Sequence, residues 1–73
     1  MTDDERAVYL NIMGIMNERD LSSSLMAEKL NVCYTTFRYK LKNPSKFFLS
    51  ELEAIARIGG KSLNDMTRRG GEQ

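Results

Sequence analysis

The chain has 73 residues, of which 41% are hydrophobic and 29% charged, and it carries a formal net charge of +1. That is enough apolar material for one small core, too little chain for two, and too apolar a balance for disorder. With no histidine and one cysteine, Cys33, the chain lacks the donor set of a zinc site, the usual proton-transfer groups and an internal disulfide, and it contains no glycine-rich phosphate loop. Neither an enzyme, nor a cofactor, nor a small-molecule ligand is expected. No apolar run reaches membrane-spanning length and no basic leader precedes one, so the expectation is a cytoplasmic protein without membrane contact.

The small net charge conceals an uneven distribution. Residues 1–20 hold Asp3, Asp4, Glu5, Glu18 and Asp20 against Arg6 and Arg19, whereas residues 21–50 hold Lys29, Arg38, Lys40, Lys42 and Lys46 against Glu28 alone. The middle of the chain is therefore the cationic part.

In chain order, a first helix is predicted from Thr2 or Asp3 to about Asn17. Thr2 can cap it, and Asp3, Asp4 and Glu5 put negative charge where the helix dipole is positive. Val8, Tyr9, Ile12, Met13, Ile15 and Met16 cover an arc wider than the stripe of about 100° that one buried contact needs, and Leu10 lies outside even that arc. Gly14 interrupts the pattern. Ser22 then caps a short second helix over about 23–30, carrying Met26, Ala27 and Leu30 at helical spacing. Asn31 tolerates the left-handed backbone that ends a helix sharply.

A third helix follows from about Tyr34 to Lys42, with Phe37 and Leu41 four apart on its inner stripe. At about 100° per residue, Thr35, Tyr39 and Lys42 face away from that stripe, Arg38 lies on one flank, and Thr36 and Lys40 lie on the other. Asn43 and Pro44 stop the helix. Ser45 to Phe48 form a loop in which one phenylalanine plugs the core and the other is exposed. Ser50 with Glu53 reads as a capping box for a fourth helix bearing Leu52, Ile55 and Ala56, ended by Gly59 and Gly60. Ser62 with Asp65 suggests a short fifth helix with Leu63 and Met66, and residues 70–73 a flexible tail behind a single domain over 1–69. The methionines at helical apolar positions are core fillers.

The stretch LSSSLMAEKLNVCYTTFRYKLK, residues 21–42, resembles the helix-turn-helix of phage repressor and Cro-type regulators. Ala27 stands where that family places a small residue at the helix crossing, Asn31 where it usually has glycine, and Val32 and Phe37 where it has apolar residues. The likeness continues through KLKNPSKFFLSELEAIARI to Ile58, although Lys40 stands where many members carry an aliphatic residue. The resemblance implies an all-α, lambda repressor-like bundle of about five short helices, with the second and third forming the motif. It also implies sequence-specific binding of double-stranded DNA by a small transcriptional regulator, a homodimer on a palindromic operator. Side-chain chemistry and the resemblance together assign base edges to Tyr34, Thr35, Arg38 and Tyr39 and phosphates to Ser23, Thr36, Lys40, Lys42 and Lys46. The competing expectation is a helical protein-interaction module, antitoxin-like or an anti-repressor subunit, using the surplus apolar residues Leu10, Leu25 and one of Phe47 and Phe48.

Overall fold

The structure, a computed structural model, describes residues 2–64 and is all-helical, with no strand among them. Four α-helices occur among the described residues: α1, Asp3–Glu18; α2, Ser23–Lys29; α3, Tyr34–Lys42; and α4, Leu49–Ile58. A 3-10 turn, Pro44–Lys46, joins α3 to α4. Leu63 and Asn64 are helical, and the rest of the expected fifth helix, with Asp65 and Met66, and the expected tail lie outside the described residues. No helix among the described residues is long and apolar enough to cross a membrane.

Helix α1 starts with a reciprocal cap. The Thr2 hydroxyl accepts from the Glu5 amide at 3.1 Å and the Glu5 carboxylate accepts from the Thr2 amide at 3.0 Å, which satisfies two amides that the first turn leaves without helical partners. The helix runs unbroken through Gly14, where a Cβ would meet nothing within 4 Å. At α2 the predicted Ser22 cap is present, its hydroxyl accepting from the Leu25 amide at 3.2 Å.

Helices α1, α2 and α4 end in one and the same way. A left-handed residue, Asp20 with φ 54°, Asn31 with φ 60° or Gly60 with φ 68°, reverses the chain. The following amide then closes onto a carbonyl five residues back: Leu21 onto Met16 at 2.8 Å, Val32 onto Ala27 at 2.9 Å and Lys61 onto Ala56 at 2.8 Å. This six-residue closure satisfies carbonyls that the last turn would otherwise strand, and it makes the turns tight. Gly59 is glycine for a different reason. A Cβ there would lie 2.6 Å from two carbons of Ile15, a side chain with no exposed surface.

The start of α4 departs from the sequence expectation. Ser50 and Glu53 form no capping box; the helix begins two residues earlier, Phe48 is the N-cap, and Glu51 at the third helical position accepts the Phe48 amide at 2.8 Å. Phenylalanine has no side-chain acceptor, so the return half of the box is missing. The expected loop over 45–48 is in part the 3-10 turn, begun by buried Pro44, a residue whose fixed φ suits the first position of such a turn.

The core gathers Ile12, Ile15, Met26, Phe37, Leu41 and Ile55, each 0–1% exposed, with Val8, Met16, Ala27, Phe47 and Ala56 around them. Phe47 is the phenylalanine that plugs the core, meeting Phe37 edge-on at 6.2 Å and 64°, a geometry that aromatic quadrupoles favour. Two long-range ties fasten α1 at its ends: Glu5 accepts from the Ser45 amide at 3.4 Å, and Arg19 donates to the Gly59 carbonyl at 3.3 Å.

Candidate nucleic-acid interface

Helix α3 has one face sunk in the core and one open. Phe37 and Leu41 are buried, as their spacing requires, and Ala27 at 2% exposure lets α2 cross behind them without a bulky side chain between the backbones. The chain passes from one helix to the other through the tight closure at Asn31. Their mutual orientation is therefore set by buried contacts and a reversal that few residue types can make.

The open face carries the residues predicted to read bases. Tyr34 and Tyr39 are 53% and 52% exposed, and Thr35 and Arg38 are exposed with them. One Arg38 amine donates to the Ser23 hydroxyl at 3.4 Å, so a residue expected on a base and one expected on a phosphate are brought together at the seam between α3 and the start of α2. Ser23 itself is half-buried. Thr36, Lys42 and, in the 3-10 turn, Lys46 are exposed. The ammonium groups of Lys42 and Lys46 have no acidic partner among the described salt bridges. Cys33 is exposed as a free thiol at the α3 N-cap and makes no capping hydrogen bond.

Lys40 is a correction to the sequence reading. It is 8% exposed, and its ammonium lies 2.7 Å from both carboxylate oxygens of Glu51 at the start of α4. The Phe48 ring, itself 66% exposed, sits over the same ammonium at 4.3 Å from its centroid. A cation already bracketed by a carboxylate and a ring face is not offered to a phosphate, and Lys40 leaves the set of candidate contacts. Sequence reasoning missed Glu51 and Phe48 as neighbours of α3. The available signal was Lys40 standing at a position where an aliphatic residue is usual, which asks for a buried counter-charge.

Behind the interface, the Glu5 carboxyl is held below its ordinary value near 4.5 by hydrogen bonding from the Thr2 backbone first, with a further contribution from the Ser45 backbone. On the side of α2 that includes Leu25, a shallow groove of about 570 Å³ is lined by Met13, Gly14, Met16, Leu21 and Leu25, among others. Leu25 and Leu10 are 44% and 54% exposed.

Compared with protein-family models, curated proteins and solved structures, the chain matches none.

Proposed function

We propose that this chain is a small transcriptional regulator that binds double-stranded DNA, presenting α3 to the major groove as the second helix of a lambda repressor-like helix-turn-helix. The observation that carries this reading is the split of α3: a core-locked inner face and an outer face offering two tyrosines, a threonine, an arginine and a lysine. An outer face built only for solubility has no use for two half-exposed tyrosines beside an arginine. Aromatic hydroxyls, a threonine methyl and a guanidinium are groups that distinguish base edges.

In this reading Arg38 takes a guanine edge or a phosphate, Thr35 and Tyr39 meet bases or thymine methyls, and Tyr34 reaches base or backbone from the first turn. Thr36, Lys42, Lys46 and the Ser23 hydroxyl hold phosphates and fix the register. A helix of nine residues touches too few base pairs for a regulator's selectivity, so two copies act on a palindromic site with half-sites about one helical turn apart.

The test is a fluorescence-anisotropy titration of random-sequence duplex at several salt concentrations, native protein beside Arg38→Ala/Lys42→Ala. The expected result is an affinity that falls steeply with salt, by about 0.9 in logarithmic slope per neutralised phosphate, and a shallower slope in the double variant. No binding by the folded protein at low salt overturns the reading. Exposed Leu10, and exposed Leu25 in the lining of the open groove, support the second reading, a protein-interaction module, whose complex would respond little to salt.

A further inference from the structure

We infer that Lys40, Glu51 and Phe48 form a positioning unit, one that touches no DNA and sets the rotation of α3 about its own axis; the inference rests on the DNA-binding reading above. Lys40 follows Tyr39 directly on α3, so whatever fixes Lys40 fixes the angle at which the neighbouring outward side chains leave the helix. Its ammonium is 2.7 Å from each Glu51 oxygen, and one of those oxygens also takes the Phe48 amide at 2.8 Å. Glu51 is thus immobilised by its capping duty at the start of α4 before it meets the lysine. From the other side the Phe48 ring lies on the ammonium at 4.3 Å. The pair's side chains are each 10% exposed, which keeps competing water largely away.

Direction is what this unit adds. Phe37 and Leu41 seat α3 by close packing, which fixes where the helix lies against α2 but is more tolerant of a small roll about its own axis. An ammonium held by both oxygens of a capped carboxylate is less tolerant. With side chains reaching about 5–6 Å from the axis, a roll of about 20° displaces their tips by about 2 Å. That exceeds the 0.5 Å window within which a base-edge hydrogen bond is made, about 2.7–3.2 Å between heavy atoms. Flexible lysines on phosphates follow such a displacement without loss. Removing the pair therefore has a distinct signature: discrimination between sequences falls while salt dependence stays.

The experiment compares native protein, Lys40→Met and Lys40→Arg on two probes, a random-sequence duplex pool and the tightest duplex that the native protein recovers from that pool, across a salt series. Lys40→Met is expected to keep its helical circular dichroism, to bind the random pool within about twofold of native with an unchanged salt slope, and to lose about tenfold in the ratio of affinities for recovered and random duplex. Lys40→Arg, whose fork can still grip a carboxylate, restores most of that ratio. Should Lys40→Met not fold, Lys40→Met/Glu51→Gln gives the same comparison without either charge, since glutamine keeps an oxygen for the Phe48 amide. A ratio unchanged in the folded variant overturns the positioning role. A slope shallower by about 0.9 with the ratio intact overturns it too, making Lys40 a phosphate contact. Native protein that binds neither duplex defeats the DNA reading itself, and this inference with it.

Discussion

The two faces of α3 are built from the same kinds of residue to opposite ends. Each includes aromatic and cationic side chains, yet Phe37 and Lys40 are buried while Tyr39 and Lys42 are exposed. Lys40 and Lys42 are the sharpest case: two residues apart, one is locked between Glu51 and Phe48 and the other stands in solvent. What separates them is the element packed against each side, since nothing in the lysine side chain itself decides whether it serves the fold or a partner.

Breaking the inner face should cost the most. Phe37→Ala removes a ring with no exposed surface and its edge contact with Phe47, and is expected to lower stability by about 3–5 kcal/mol in urea unfolding. A loss below about 1 kcal/mol there would mean that the inner face is not what seats the helix. Glu51→Ala comes next, expected at about 3 kcal/mol because it leaves the Lys40 ammonium buried without a partner and the Phe48 amide uncapped. On the outer face the sign of the contrast reverses. Arg38→Ala gives up one long hydrogen bond to Ser23 and should stay within about 0.5 kcal/mol of native in the same unfolding assay, while its duplex affinity falls.

The smallest effect concerns acid. Glu5 has a folded-state pKa below its ordinary value, so its contribution is present above about pH 4.5 and is lost as the pH falls through the lowered value. Melting curves from pH 7 to pH 3 should show native protein losing stability that Glu5→Gln lacks throughout. Parallel curves for the two proteins would mean that the bonds the Glu5 carboxylate accepts, from the Thr2 amide first and the Ser45 amide second, contribute nothing.

How much of this was legible in the residues follows from the range of the forces involved. Local chemistry was readable: the caps at Thr2 and Ser22, the bounds of α2 and α3, the reversal at Asn31, and a phenylalanine inside with its neighbour outside. The helical, strand-free character of the described chain was readable for the same reason, because apolar spacing acts within a few residues. Lys40 was not, since its burial depends on Glu51, eleven residues away, and a lysine with no helical partner in sight reads as solvated. The start of α4 failed through the same residue. Glu51 and Glu53 each stand three residues after a possible cap, and the one that also neutralises Lys40 sets the register. Ala7 in the core and the left-handed Asp20 were missed because alanine carries too little apolar weight to mark a face and aspartate is only an occasional visitor to that backbone region.

The two ties that fasten α1 each span forty positions of chain, Glu5 to Ser45 and Arg19 to Gly59. The contacts between α2 and α3, by contrast, close within about one helix length of sequence. Folding that follows the cost of loop closure builds the α2–α3 pair early and docks α1 late. On the ribosome, Ile15 lacks part of its cover until Gly59 has emerged to lie against it. The candidate DNA-facing pair can thus be assembled while the core behind it is still open. Its formation in the folding transition state should register as higher φ-values at Ala27 than at Ile15.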